Sequence, residues 1–511
     1  MKRKKIVIIG AGIGGLSVAN LLAKAGNEVH VYEKSSVPGG RAGLLKQDGF
    51  TFDTGPSWYL MADVFEHYYN LLDESTKSQL KLRRLQPAYK VFFEKDEPLT
   101  ITSNLENDAK TFESLETGAG NQLKKYVASS SKTYKLALRH FLYSNFEKPS
   151  ELLHPEIIKN SGALLRRTSQ SIHSYVSGYV KNQRLQQILE YAMVFLGTSP
   201  FDAPSLYSLM SALDFEEGVF YPEGGLYTII TSLEELGNEL GVHYHYNCET
   251  KRIRTSKDRA IGIELKSGKF ISADIVISNA DLHHTETKLV SPSNRSYPET
   301  YWKKQEAGPS ALLMYLGIKG KIADFQHHNL LFVKQWKQNF EDIYQNKKPP
   351  KKASIYICKP SQTDTSVAPI GDENIFVLVP LPSGISLSEE QQNELTSHYL
   401  NQIKTMTGVD LKSRIISQSY YGPNDFADKL FSWQSSMLGP SHILKQSAFF
   451  RTPNRSKKLS NLYYVGAGTT PGIGLPMCLI SAELVYKRII GEKKSGRVES
   501  IIPIDSQEGE N

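Results

Sequence analysis

The feature that most constrains this chain is a glycine cluster near its start. Gly10-Ala-Gly-Ile-Gly-Gly15 follows a four-residue apolar run at 6–9 (Ile-Val-Ile-Ile). It opens a segment whose apolar residues Leu16, Ala19, Leu22 and Ala23 recur at helical spacing. Glu28-Val-His-Val-Tyr-Glu33 then reads as a second strand ending in an acid. Strand, glycine turn, helix and strand form a βαβ unit. Glycines there allow a tight turn and let backbone approach a pyrophosphate held at a helix amino terminus, and an acid in the place of Glu33 accepts hydrogen bonds from ribose hydroxyls. The pattern predicts dinucleotide binding through Gly10, Ala11, Gly12, Gly14, Gly15, Glu33 and the adjacent Lys34.

An acid at the end of the second strand favours a dinucleotide with a free ribose 2′-hydroxyl, either NAD or FAD. Pro38-Gly-Gly-Arg41 decides between them, because a second turn carrying Gly39, Gly40 and Arg41 lays backbone and a cation along the pyrophosphate in a manner typical of flavin enzymes. The far end of the chain offers a matching half-site. A strand over 461–466 runs into Gly466-Ala-Gly-Thr-Thr-Pro-Gly-Ile-Gly-Leu-Pro-Met477, with a helix expected from about Pro476. A helix amino terminus aimed at the flavin would stabilise the negative charge that collects on reduction. FAD is therefore the expected cofactor, clasped by both ends of the chain.

Five hundred and eleven residues suffice for two or three domains, and 40% hydrophobic with 22% charged residues excludes disordered, collagenous and coiled-coil classes. Cys248, Cys358 and Cys478 are far apart and lack CxxC spacing, which excludes a disulfide framework, argues against a cysteine-based zinc site, so that no metal is expected, and points to a reducing compartment. No apolar window is long enough to span a bilayer, since 475–490 carries Glu483 and Lys487. The basic start at 1–5 is followed by too short an apolar run for a signal peptide. The net charge of +7 is uneven: residues 121–185 hold eleven Lys or Arg against three acids, interleaved with aromatics from Tyr126 to Tyr179. Such a stretch suits a nucleic acid, an anionic membrane surface or a solvated helical face. A nucleic-acid-binding protein, however, would leave the two glycine-rich half-sites unexplained.

The expected fold class is α/β with α+β elements: a Rossmann-like FAD-binding domain with an inserted mixed-sheet and helical substrate and membrane domain. FAD-binding parts are assigned to 1–75, 218–290 and 446–494. A helical, membrane-associated insertion is assigned to 76–217, a substrate domain with a second sheet to 291–445, and a disordered tail to 495–511.

Taken together, Gly10–Gly15, Gly39-Gly-Arg41, Asp48-Gly-Phe-Thr-Phe-Asp-Thr-Gly-Pro-Ser-Trp-Tyr59, Tyr221-Pro-Glu-Gly-Gly225, Ser278-Asn-Ala280 and residues 461–477 resemble the bacterial and archaeal phytoene desaturases, carotenoid-desaturating members of the flavin amine oxidase superfamily. The resemblance implies an FAD enzyme that removes hydrogen from 15-cis-phytoene on the way to lycopene-like products, with a quinone or oxygen reoxidising the flavin. It also implies a peripheral protein on the cytoplasmic side of a membrane, because the substrate is dissolved in lipid. Gly466, Ala467, Gly468, Gly474, Leu475, Pro476 and Met477 would hold the flavin, and Gly55, Pro56, Ser57 and Trp58 would lie near its ring. Thr250 would meet the adenine through its backbone where relatives carry valine. Ala62 stands where proline is usual, and Thr470 where histidine is common. Related reactions fit the same motifs: a 3,4-desaturase, a diapophytoene desaturase, an isomerase, an oxidase or a retinol saturase.

The bond to be broken sets the mechanism. An allylic C–H can lose hydride to flavin N5 while the polyene delocalises the cation, so alignment and exclusion of water supply most of the effect. No catalytic triad is expected. His67, His140, His154, His173, His327, His328 and His442 are each better read as structural than as the base, which stays unassigned. Tyr191, Met193, Phe195, Phe201, Tyr207, Met210, Phe215, Phe220, Met314 and Tyr315 are candidates for an apolar tunnel.

Overall fold

A strand with the composition of residues 6–9 is stable only where both of its faces are covered. In the computed structural model, which describes residues 3–147 and 153–503, β1 (Lys5–Ile9) is the middle strand of a five-stranded parallel sheet. It lies between β2 (Glu28–Tyr32) and the strand Ile275–Ser278, with His243–His245 and Leu462–Tyr464 at the edges. Alternation sends Ile6 and Ile8 into one hydrophobic core and Val7 and Ile9 into another. Each such buried aliphatic side chain contributes about 1.5–3 kcal/mol. α1 (Ile13–Lys24) is buried along almost its whole length, packed against the helices Tyr227–Glu239 and Leu475–Ile490. Three segments remote in sequence thereby build one dinucleotide-binding unit, and a three-stranded antiparallel sheet (Thr250–Ser256, Arg259–Leu265, Phe270–Ser272) covers its other face.

A second sheet of seven strands runs in the order Ile415–Tyr421, Ser310–Ile318, Glu373–Leu381, Ile355–Cys358, His328–Phe332, Tyr89–Phe93, Leu99–Ile101. It is antiparallel except where His328–Phe332 meets Tyr89–Phe93. Leu313 and Tyr315 face the dinucleotide-binding unit, whereas Leu312, Met314 and Leu316 pack beneath the sheet in a core that Tyr399, Leu400 and Ile403 of the helix Glu389–Thr407 help to close.

Two expectations require correction. The segment 76–217 is not wholly helical, because Leu82–Arg84, Tyr89–Phe93 and Leu99–Ile101 are strands. The Tyr89–Phe93 strand pairs on one side with Leu99–Ile101 as a local hairpin and on the other with His328–Phe332, and only the second, distant partner carries it into the sheet. The tail is ordered as far as it is described. Arg497 pairs with Asp63 at 2.6 Å, the Ile502 N–H donates to the Tyr486 hydroxyl at 2.8 Å, and Ile501 is buried. Residues 504–511 of that tail, and Lys148 and Glu151 of the basic stretch, lie outside the described residues. Among the described residues no helix is long and apolar enough to cross a membrane.

Candidate functional site

A cavity of about 940 Å³ starts at the carboxyl ends of β1, β2 and Ile275–Ser278, runs past the second sheet and reaches the protein surface at Leu165, Leu444, Phe449 and Phe450. This is the crevice of a parallel sheet in which nucleotides bind. Of the cofactor residues expected from sequence, all but Ala11 and Gly15 line it, Thr250 included. Those two shape it from behind. The Ala11 N–H donates to Glu33 Oε2 at 2.8 Å, while the Ser35 N–H donates to Glu33 Oε1 at 2.9 Å, so Glu33 is fixed at the end of β2. At Gly15 a β-carbon would come within 2.1 Å of the Gly10 carbonyl oxygen, so only glycine closes this turn.

Asn279, which sequence reasoning did not assign to the site, fills the space that three glycines leave. Its side-chain amide lies 2.7–2.8 Å from where β-carbons of Gly12, Gly14 and Gly466 would stand. It therefore sits wedged between the amino terminus of α1 and the carboxy-terminal loop. Arg41 faces the cavity, donating through Nη2 to Ser432 Oγ at 2.7 Å, with Asp281 3.7 Å away. Its buried Nε has no partner among the described residues. That orphaned cationic donor and the glycine cradle fit a diphosphate. Lys34 stacks over the Phe431 ring at 3.6 Å. On the same ring His284 stacks at 4.3 Å, kept neutral because burial lowers its pKa to about 4.

Residues 13–490 match the family model of flavin containing amine oxidoreductases. The chain belongs to that family. This flavoprotein is 38% identical over 485 residues to a carotenoid 3,4-desaturase of Haloarcula japonica, covering 95% of this chain and 98% of the relative. It is 32% identical to a zeta-carotene-forming phytoene desaturase of Myxococcus xanthus, covering 95% and 94%. A solved putrescine oxidase variant shares the fold, with a TM-score of 0.63 at 13% identity over 96% of this chain and 99% of that one. A flavin of this family held in a dinucleotide-binding crevice, with the acid Glu33 at the end of β2 lining it, is FAD.

Further parts of the flavoprotein's site were not legible beforehand. Arg451 is buried, donating from Nε to the Thr469 carbonyl at 3.0 Å and from Nη2 to the Ala467 carbonyl at 2.7 Å. Burial lowers its pKa to about 10, still far above neutral, and among the described residues its hydrogen-bond partners are carbonyls, with no carboxylate. A buried positive charge thus underlies the 466–477 loop. His442 also touches this loop. Its Nε2 accepts the Ile473 N–H at 3.1 Å, so Nδ1–H donates to the Tyr207 hydroxyl at 3.0 Å. Burial depresses its pKa well below the ordinary histidine value. Met61, which lines the cavity, adopts left-handed φ of 59° just before the helix Ala62–Asn70. Ala62 is the first residue of that helix, where proline is equally tolerated.

Of the seven candidate histidines only His442 lines the cavity. His67, His140 and His173 instead pair with Glu483, Glu156 and Glu190, and His154 caps the Pro155–Lys159 helix. Tyr191, Phe195, Tyr207 and Met210 line the cavity as expected. Met193, Phe201, Phe215, Phe220, Met314 and Tyr315 do not. Strand alternation turns Met314 to the core beneath the sheet, and the Tyr315 hydroxyl is engaged with the Thr54 carbonyl at 2.8 Å.

Proposed function

We propose that this flavoprotein desaturates a carotenoid precursor drawn directly from a membrane, 15-cis-phytoene being the substrate the motif pattern favours. One observation carries the reading: the cavity that holds the FAD residues continues into an apolar passage whose mouth is built from exposed hydrophobic side chains. Leu165 is 71% exposed and Phe450 68%, and both line the cavity, as do the exposed Leu444 and Phe449. Exposed apolar clusters of this kind mark lipid or partner contacts. Lys159 and Arg166 flank the mouth on the helices Pro155–Lys159 and Ser161–Ser169. The membrane face proposed here is narrower than the whole basic stretch. Arg167 turns inward to Ser129, Tyr175 and Ser208, and Lys124 pairs with Glu106.

When bound, FAD supplies a two-electron acceptor for C–H oxidation. The protein's own contribution is alignment. Trp58, Tyr191 and Phe195 form a wall of mutually tilted rings with centroids 5.5–6.0 Å apart. They hold a polyene edge against the flavin-facing segment 55–58 and keep water out. Among the described lining residues away from the cofactor segments there is no carboxylate, ammonium or guanidinium, and the one imidazole, His442, has both nitrogens engaged. A quinone or oxygen reoxidises the cofactor.

A second reading, a 3,4-desaturase acting late in the same chemistry, is favoured by the higher identity to the archaeal relative. Pigment analysis in bacterial hosts accumulating either phytoene or lycopene separates the two. Phytoene converted to coloured products supports the first reading. Phytoene left intact while lycopene is further desaturated supports the second.

A further inference from the structure

We propose that His327, His328 and Cys358 form a binding site for one zinc(II) ion behind the flavin-facing segment. His328 opens the strand His328–Phe332 and Cys358 closes Ile355–Cys358, and the sheet register pairs the two directly. Directly paired residues on neighbouring strands present their side chains on one face. His327 adds a second ring, its centroid 4.6 Å from that of His328. One ring nitrogen of each histidine and the Cys358 sulfur lie within 4.8 Å of one another. Small rotations bring such a set to the roughly 2.0–2.3 Å bonds that zinc makes with imidazole and thiolate.

The surroundings are those of a ligand set. All three residues are buried. His327 Nδ1 is held by Thr363 Oγ1 at 2.8 Å, and His328 Nδ1 by the Tyr356 hydroxyl at 2.8 Å, itself 2.7 Å from Ser57 Oγ. Such outer contacts fix ring orientation in metal sites. Nε2 of both rings is buried with no partner among the described residues. A small cavity of about 10 Å³ adjoins the cluster, lined by His327, Cys358 and Asp53 but not by His328. Asp53 accepts N–H bonds from Leu226 and Tyr227 at 2.8 and 2.9 Å and has no cationic side chain among its partners. A cation would answer that buried carboxylate. Binding forms a zinc–sulfur bond and releases the Cys358 proton to solvent, with no change of oxidation state. Because His328 stacks on Trp58 at 4.1 Å, the ion would stiffen the wall on which the flavin-facing segment rests.

The test uses the full-length, FAD-loaded protein from zinc-supplemented culture. Mass spectrometry of the metal content is expected to give about one zinc per FAD, falling at least about tenfold in His327→Gln and in Cys358→Ser while the FAD content holds. Cobalt(II) exchanged into the wild type is expected to show a thiolate-to-cobalt charge-transfer band that Cys358→Ser lacks. If either variant fails to fold, the wild type stripped by a chelator and retitrated with Zn²⁺ is expected to regain melting temperature. A wild type that takes up no zinc on titration overturns the proposal and leaves a buried water as the occupant. Zinc retained undiminished in both variants, or an unchanged melting temperature on retitration, overturns it equally.

Discussion

Asp214 supports the passage wall from behind, and its ionisation sets a measurable pH dependence of stability. Its Oδ2 accepts the Tyr89 hydroxyl at 2.7 Å and the Tyr191 hydroxyl at 3.1 Å, while Oδ1 is buried without a partner among the described residues. Tyr191 lines the cavity. Burial, with a smaller contribution from nearby Asp108, raises the Asp214 pKa from 3.8 to about 7. The folded state therefore holds the proton more tightly than the unfolded chain. The resulting stability is fully present below the unfolded pKa and is lost as pH rises through the folded one. About three pKa units at 1.36 kcal/mol each amount to ~4 kcal/mol, of which ~2–3 kcal/mol disappears between pH 5 and 8. Asp214→Asn keeps the shape and cannot ionise. Urea unfolding of both proteins with saturating FAD is expected to show the variant gaining ~2–3 kcal/mol on the wild type between pH 5 and 8. A difference that stays constant over that range would mean that Asp214 ionises normally in the fold, and the burial argument would be refuted.

Three further outcomes are expected. Gly15→Ala, whose methyl would meet the Gly10 carbonyl at 2.1 Å, yields protein with at least about a tenfold weaker hold on FAD, read by equilibrium dialysis, because no flexible neighbour can yield. Arg451→Met removes the buried charge beneath the 467–469 carbonyls and lowers the two-electron reduction potential of the bound flavin by on the order of 30 mV or more, read by spectroelectrochemistry. Leu165→Glu with Phe450→Glu, two exposed mouth residues, reduces flotation on anionic vesicles severalfold at both low and high salt. The two Lys and Arg positions Lys159 and Arg166 changed to Ala reduce it only at low salt, since charge contacts are screened.

How far the residues spoke for the structure depended on how local the controlling contacts were. β1, α1 and β2 were legible because period and glycine spacing act within thirty residues, and Glu33 stands where that unit requires it. That residues 466–477 line the same cavity as the amino-terminal glycine turn was legible because their glycine density has few other uses. Asn279 was not, since its importance arises only when Ile275–Ser278 pairs with β1 and brings the amide under glycines from two ends of the chain. The place of Tyr89–Phe93 in the second sheet was not legible for the same reason: its hairpin with Leu99–Ile101 is local, but the partner that carries it into the sheet, His328–Phe332, lies far along the chain. Ala11 was credited with cofactor contact from the motif, but its side chain is buried and its N–H serves Glu33. The tunnel candidates divided according to strand alternation and hydroxyl engagement, which composition does not encode. Arg451 carries no sequence signal, and nothing in the sequence sets His442 apart from the other six candidate histidines, because what distinguishes both is burial against the 466–477 loop.

The most direct measurement is anaerobic and uses the purified FAD-loaded protein with 15-cis-phytoene in liposomes. Loss of the oxidised flavin's visible absorbance, matched mole for mole by a product with a longer conjugated chromophore, is the predicted result. Flavin that stays oxidised in the presence of both phytoene and lycopene, with the pigments recovered unchanged, would contradict carotenoid desaturation as the function of this fold.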